Sequence, residues 1–360
     1  MSERYGSSLA ELAVLLDDQP GYRVDQVWRG LWTELRTPDE MTNVPAALRA
    51  RLDSALPSSL QLVTERTSDD GLTTKFLWAL HDGNTVETVL MHYDDRSTVC
   101  VSSQAGCAMG CSFCATGQAG YERHLTVGEI AEQVVMAARV ARPRRVSNVV
   151  FMGMGEPFAN YDAVIGAITH LHDDLGISAR RLTVSTVGLV PGIRKLGAEQ
   201  LPVNLAVSLH AANDTLRDEL VPPNRRYPLA MLAEACAEYF EATHRRISFE
   251  WAMIDGVNDS DRDADELAAY ARPLRAHINL IPLNPTPGYP VVGSSGQRVR
   301  DFAGRLNEAG VNTTIRDTRG RDIDGACGQL RATHGDPVPP AGEAANSPGT
   351  RAVTLGPRRR

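Results

Sequence analysis

Apolar residues recur with a helical period through the first seventy residues of the chain. Spacings of three and four positions place such residues on one face of a helix, as in helices that pack on a core. The pattern occurs in three successive segments, with apolar positions at Leu9, Leu12, Leu15 and Leu16, then at Val24, Val27, Trp28 and Leu31, then at Ala46, Leu48, Leu52 and Leu56. We therefore predict a small helical domain over residues 1–70.

From Thr73 onward the apolar positions alternate with polar ones, as in β-strands. Residues 74–80 and 86–91 form two such runs around a turn at 82–84, and residues 98–102 form a third. The alternation predicts a β-hairpin extension over residues 71–96, followed by the first strand of a larger domain.

Strands and helices then alternate regularly to about residue 316. A helix with a capping box from Thr126 to Glu129 follows the first strand, and five further strand–helix pairs and a closing strand come after it. The strands of these pairs and the closing strand are expected at residues 147–151, 181–185, 203–209, 246–253, 278–281 and 311–316. This alternation is typical of a parallel sheet with right-handed crossovers, so we predict an α/β fold with a partial (β/α)6 barrel over residues 97–332. Residues 333–360 are rich in Pro and Gly, and we expect a disordered tail there.

The charge balance narrows the choice of partners. The chain has 37 Lys and Arg against 44 Asp and Glu, a net charge of −7, so any binding of nucleic acid needs a local basic face. Adjacent arginines at 142, 144 and 145, at 180 and 181, at 225 and 226 and at 245 and 246 could supply that face. No apolar run has the length of a secretory signal or a membrane span, so we expect a cytoplasmic protein that does not bind membranes.

Three of the six cysteines, Cys107, Cys111 and Cys114, follow a predicted strand in a C-x3-C-x2-C spacing. Such crowding in a reducing compartment indicates metal or redox chemistry, and thiolates select zinc or iron–sulfur centres. A structural zinc site requires a fourth ligand, which would have to be Cys100 or His124. Three cysteines on an iron–sulfur cubane instead leave one iron open to a small molecule, and the spacing favours this alternative.

The C-x3-C-x-aromatic-C sequence resembles the radical S-adenosylmethionine (SAM) superfamily. The resemblance implies a [4Fe-4S] cluster on Cys107, Cys111 and Cys114, SAM bound at the open iron, and a partial (β/α)6 barrel. It also implies a set of SAM-binding residues at the ends of the predicted strands. These residues are Gly155, Glu156, Ser185, Ser208, Leu209, His210 and Asn284.

Longer blocks resemble the bacterial ribosomal RNA adenine-C2 methyltransferases. They are residues 100–107, 114–117, 123–126, 152–157, 281–285 and 325–330. In that family a cysteine matching Cys327 accepts a methyl group from one SAM and, after radical activation by a second SAM, links covalently to adenine. A cysteine matching Cys100 then resolves the adduct through a disulfide, and Glu87 matches the proton acceptor.

The same resemblance implies adenine 2503 of 23S ribosomal RNA and adenine 37 of transfer RNA as targets, and a flavodoxin-like one-electron donor. The target base would have to leave its stack to reach the interior of a barrel.

Three alternatives remain open from the sequence. An adenine-C8 methyltransferase that confers ribosomal antibiotic resistance would share the cluster and both extra cysteines. A radical enzyme acting on a small metabolite would explain the cluster but would leave Cys100 and Cys327 without a role. A zinc or iron–sulfur RNA-binding module without enzymatic activity would differ from both in failing to cleave SAM reductively.

Overall fold

The computed structural model describes residues 3–284 and 292–316, together with Ile323 and Leu330. The predicted tail over residues 333–360 lies outside these residues, as does Cys327. Among the described residues, none of the helices combines the length and the apolar composition needed to cross a bilayer.

The amino-terminal segment contains three short helices, α1 (Leu9–Leu15), α2 (Tyr22–Trp32) and α3 (Ala46–Ala55). Most of the predicted positions are buried, but Leu9 and Ala46 are exposed. Trp32 is fully buried, with its ring stacked on His170. Trp28 donates from Nε1 to Asp174 at 2.9 Å. The helical segment therefore packs directly on the larger domain.

The helical prediction for residues 1–70 is wrong at its end. Gln61–Thr67 is a strand, β1, which pairs antiparallel with β2 (Thr73–Ala79). β2 and β3 (Thr85–His92) form the predicted hairpin, and β3 pairs antiparallel with β4 (Ser97–Cys100). The hairpin thus joins the main sheet as an antiparallel extension.

After β4 the chain forms a series of parallel strands separated by helices. A small two-stranded sheet, β5 (Gln104–Gly106) with β6 (Tyr121–His124), encloses a short helix α4 (Ala115–Ala119). The remaining elements, in chain order, are α5 (Val127–Ala141), β7 (Val146–Phe151), α6 (Tyr161–Asp173), β8 (Leu182–Thr186), α7 (Val190–Gly197), β9 (Asn204–Ser208), α8 (Asp214–Leu220), α9 (Leu229–Thr243), β10 (Ser248–Met253), α10 (Asp261–Ala271), β11 (His277–Pro282), α11 (Gly296–Glu308) and β12 (Thr313–Ile315).

The described part of the sheet has the strand order β1-β2-β3-β4-β7-β8-β9-β10-β11-β12. All pairs from β4 to β12 are parallel, and no hydrogen-bonded pair joins β12 back to β1 among the described residues. The sheet is therefore open, which confirms the predicted α/β fold with a partial barrel. Because the strands run in the same direction, the loops that follow them meet at one end of the molecule.

Candidate active site

A cavity of about 150 Å³ lies where the parallel strands end. Residues from the loops after β5 and β7 and from the carboxyl ends of β8, β9 and β10 form its walls. Most of the expected site residues line it, namely Cys107, Cys111, Cys114, Gly155, Glu156, Ser185, Ser208 and His210. The structure thus brings the cysteines and the strand-end residues together at one place.

The cysteine loop is held at both sides by backbone hydrogen bonds. Cys107 N donates to Gly120 O at 2.6 Å, and Ser112 N donates to Leu220 O at 3.2 Å. Burial raises the pKa of the Cys107 thiol to about 12 and raises the pKa of Cys111 further above its usual value. Thiolates in such apolar surroundings need a cation beside them, as a bound metal centre provides.

The arrangement of the three cysteines differs from that of a structural zinc site. Among the described residues, no group of three or more His, Cys, Asp or Glu side chains is placed to hold a single metal ion. Zinc requires all four ligands within about 2.3 Å of one point, whereas each cysteine of a cubane binds a different iron. His124 is also engaged elsewhere, because its Nδ1 lies 3.0 Å from Nε2 of Gln104. The donor set therefore fits a three-cysteine iron–sulfur cluster.

Glu156 is a buried carboxylate at the end of the β7 loop. Its Oε1 accepts from Phe158 N at 3.0 Å, and its Oε2 accepts from Val187 N at 2.8 Å. Burial raises the pKa of Glu156 to about 7. Its carboxylate lines the cavity and keeps lone pairs for an ammonium group, whose charge would stabilise the ionised form.

Gly155 is required for close packing of the β7 loop. Its φ is +100°, and a Cβ there would lie 2.6 Å from the side chain of Gln104. Glycines in such a loop allow the backbone to approach a ligand closely. The structure shows that Gly155 also lets the loop pack against the chain before the cysteines.

His210 lies at the end of β9 with a left-handed backbone, at φ 60°. Ala252 N donates to its Nδ1 at 3.0 Å, and its ring makes an edge contact with Phe113 at 4.5 Å. Burial lowers the pKa of His210 to about 3, so the ring is neutral and carries its proton on Nε2. The imidazole therefore joins the cysteine loop to β10.

Arg217, which the sequence analysis did not select, fixes the segment before His210. Its fully buried guanidinium donates to Leu209 O at 3.0 Å, to Val187 O at 2.7 Å and to Asn224 Oδ1 at 2.7 Å. Burial lowers the pKa of Arg217. An arginine between two predicted strands gives no signal of this role in the sequence, because its burial depends on how α8 folds over the strand ends.

Leu209 and Asn284 lie beside the cavity and do not line it. The side chain of Leu209 is fully buried, and its backbone N donates to Glu250 O at 3.0 Å. Asn284 is 3% exposed, and neither Oδ1 nor Nδ2 has a hydrogen-bond partner among the described residues. Because such buried groups are normally paired, this amide fits a site that a polar ligand completes.

Cys100 and Glu87 share the face of the sheet that forms the barrel interior. Cys100 pairs with Val150 on β7, and Val150 pairs with Thr183 on β8. Ser185 lies two residues after Thr183 on the same strand, and it lines the cavity. On the other side Cys100 pairs with Val89, two residues from Glu87. Since alternate residues of a strand point to the same face, all of these side chains face the interior.

A lone glutamate in a strand usually faces solvent, but Glu87 is buried. It is 3% exposed, and its Oε1 lies 3.1 Å from Lys75 Nζ. Cys100 is buried as well, at 6% exposed. Neither residue lines the cavity.

The paired arginines do not lie together at the cavity. Those at 142, 144 and 145 precede β7, those at 180 and 181 precede β8, and those at 245 and 246 precede β10. They therefore lie at the amino end of the barrel, opposite the cavity. Arg225 and Arg226 differ, because they follow α8, whose Leu220 contacts the cysteine loop. The positions of these arginines in the sequence did not show at which end of the barrel each pair lies.

Comparison with known proteins agrees with this architecture. Residues 101–268 match the family model described as the Radical SAM superfamily. A radical SAM methyltransferase from Sphaerobacter thermophilus has a crystal structure that superposes with a TM-score of 0.90 at 51% identity, covering 92% of this chain and 100% of that one.

Curated relatives are equally similar in sequence. A probable dual-specificity RNA methyltransferase RlmN from Salinispora tropica is 54% identical over 88% of this chain and 89% of its own length. One from Chloroflexus aurantiacus is 49% identical over 93% of this chain and 94% of its own length. The chain belongs to the RlmN family of the radical SAM superfamily.

Proposed function

We propose that this protein methylates C2 of an adenine base in RNA, with adenine 2503 of 23S ribosomal RNA and adenine 37 of transfer RNA as its targets. One observation carries the proposal most directly. The three cysteines meet Glu156, Ser185, Ser208 and His210 in one cavity, and Cys100 faces the same barrel interior. The names of the relatives support an RNA substrate.

Cys107, Cys111 and Cys114 would hold a [4Fe-4S] cluster, and Glu156 would bind the amino group of SAM. Ser185, Ser208 and Asn284 offer hydrogen-bonding groups for its carboxylate, ribose and adenine. Gly155 and His210 line the same cavity, and Leu209 lies beside it. When bound, the cluster and SAM would supply one-electron cleavage of SAM and the methyl group. Two SAM would be used per turnover, with a flavodoxin-like protein as the electron donor.

The chain's own thiols carry the methyl group. Cys327 accepts it as a thioether and, after activation, forms a covalent bond through that carbon to C2 of adenine. Glu87 would take the proton that C2 loses, and one electron would pass from the adduct to the cluster. Cys100 would attack the sulfur of Cys327 as the carbon–sulfur bond breaks. The released methylene carbon would take up the proton of the Cys100 thiol to become the methyl group, and a Cys100–Cys327 disulfide would remain. Adenine C2 lies between two ring nitrogens and is too electron-poor for direct attack on SAM, which explains why the extra thiols are needed.

Because both RNAs are cytoplasmic, we propose that the enzyme is located in the cytoplasm as well.

The test uses anaerobic protein reconstituted with iron and sulfide, together with SAM, a reductant and unmodified ribosomal or transfer RNA. Nucleoside mass spectrometry with retention standards separates 2-methyladenosine from 8-methyladenosine. We expect 2-methyladenosine from the unaltered protein and none from Cys327→Ala. The 8-methyl product would instead assign the resistance activity, and SAM cleavage without methylated adenosine would indicate a different radical substrate.

Metal analysis tests the remaining alternative. We expect iron and sulfide in near-equal amounts, lost in Cys111→Ala and retained in Cys236→Ala. Cys236 is the matched control because it is a buried cysteine on α9 outside the cavity. Bound zinc without sulfide would contradict the cluster.

A further inference from the structure

Glu250 lines the cavity, and the proposed reaction gives its carboxylate no role. The residue lies within β10 and is 3% exposed. Its Oε1 accepts from Ser248 Oγ at 2.9 Å and from Asn279 Nδ2 at 2.8 Å. Its Oε2 is buried and accepts no hydrogen bond among the described residues. Buried carboxylate oxygens are normally satisfied, so this one is poised to accept from a ligand.

Arg316 stands next to that oxygen. Its Nη1 lies 3.8 Å from Glu250 Oε2 and 3.7 Å from Met152 Sδ, and Arg316 also lines the cavity. A guanidinium donates hydrogen bonds and accepts none. The two residues together offer an acceptor beside a donor on one wall.

Glu250 lies beside the strand-end residues expected to bind SAM, as the cross-strand partner of Ser208. Glu156 and Asn284 lie in loops after their strands, and Ser208 and His210 lie at the end of β9. Glu250 lies three residues before the end of β10, on the interior face that Cys100 shares. A ligand that reaches it must enter the barrel, as a base whose adduct Cys100 resolves has to do.

Adenine has one edge that matches this wall without hiding its reactive carbon. The exocyclic amino group N6 donates, and the neighbouring N7 accepts. C2 lies on the other side of the six-membered ring, between N1 and N3. A guanine in the same position would place its O6 acceptor against the carboxylate.

We propose that Glu250 selects the target adenine by accepting a hydrogen bond from its N6 amino group. This inference rests on the proposed function and extends it to recognition of the base. It makes Glu250 a specificity-determining residue that contacts the substrate.

The test measures binding, so that it does not depend on which carbon is methylated. Cluster-loaded protein without reductant is titrated with two RNA hairpins that differ only at the target nucleoside, adenosine or purine riboside, which lacks the N6 amino group. We expect the unaltered protein to bind the adenosine hairpin roughly ten- to a hundredfold more tightly, the range for hydrogen bonds to charged groups. In Glu250→Gln that preference should fall to about threefold or less.

Two controls define the outcome. Ser248→Ala removes a donor to Glu250 but keeps the carboxylate, and it should retain the preference. The Kd for SAM in Glu250→Gln should stay within about threefold of the original, and Glu250→Ala repeats the measurement if the Gln variant loses iron.

The inference is overturned if the unaltered protein shows no preference for the adenosine hairpin. It is also overturned if Glu250→Gln and Glu250→Ala both keep the preference unchanged. Weakened SAM binding with an unchanged preference would assign Glu250 to the cofactor instead. Failure of the proposed function shows separately, as an absence of 2-methyladenosine when reductant is added.

Discussion

Lys75 Nζ lies 3.1 Å from Oε1 of Glu87, on the sheet face that Cys100 also occupies. Lys75 pairs with Val89, and Val89 pairs with Cys100, so the ammonium and the thiol belong to one row across three strands. The side chains of Lys75 and Glu87 are 12% and 5% exposed. The proposed proton acceptor therefore sits beside a buried cation.

Lys75→Met should destabilise the protein by about 3 kcal/mol, because removing one partner of a buried ion pair leaves the other charge uncompensated. Urea unfolding measures the change. The chain's only other lysine, Lys195, is exposed over the ring of Tyr161, and Lys195→Met should cost less than about 1 kcal/mol. Equal losses in the two variants would contradict a structural role for the Lys75–Glu87 pair.

Arg217→Met should also destabilise the fold, by about 2–4 kcal/mol, because several buried acceptors lose their donor at once. Arg217→Lys should recover little of that loss, since an ammonium cannot reach the carbonyls of Val187 and Leu209 and the Asn224 amide in one geometry. Arg194→Met, which removes an exposed pair with Glu238, serves as the control in the same urea titrations and should change stability by less than about 1 kcal/mol. If Arg217→Lys is as stable as the unaltered protein, a positive charge at position 217 is enough to stabilise the fold.

The sequence predicted the regular parts of the fold well, because their apolar periods are long. The helix expected after the capping box from Thr126 to Glu129 is α5, and that capping box is formed. β1 was missed because its residues are mostly exposed, so no alternation of buried positions marks it as a strand. An exposed antiparallel strand at a sheet edge resembles loop or helix surface in composition.

The candidate site was predictable where its residues form motifs and not where they depend on packing. The cysteine spacing and the Glu156 loop can be recognised locally. Glu250 and Arg217 acquire their roles from burial, which is set by strands and helices distant in sequence. The same holds for the arginine pairs, since only the strand direction shows that most lie opposite the cavity.

The Glu40–Arg139 pair should make stability depend on pH in the acid range. Arg139 donates to both oxygens of Glu40 at 2.8 Å and lowers the pKa of that carboxyl to about 2, from an ordinary 4.5. A depressed folded-state pKa gives stability that is present above pH 4.5 and is lost as pH falls toward 2. Because the carboxylate is 43% exposed, we expect only about 0.5–1 kcal/mol.

Urea unfolding of the unaltered protein and Glu40→Gln at several pH values checks this. The difference in free energy of unfolding should be constant from pH 7 to about 5 and should narrow below pH 4.5. A difference that stays constant down to pH 3 would mean that the pair does not set the ionisation of Glu40.

Cys100→Ala tests the proposed division of labour between the two extra thiols. The variant should still methylate Cys327 and still attach RNA, but it should stall there, because it lacks the thiol that we propose attacks the Cys327 sulfur. A covalent protein–RNA adduct should accumulate on denaturing gels, and mass spectrometry should show the methyl-derived carbon between Cys327 and adenine. Cys236→Ala removes a fully buried cysteine outside the cavity and should turn over without an adduct. Free 2-methyladenosine from Cys100→Ala at the original rate would remove Cys100 from the mechanism. An unaltered Cys327 in that variant would place Cys100 before the methyl transfer instead of after it.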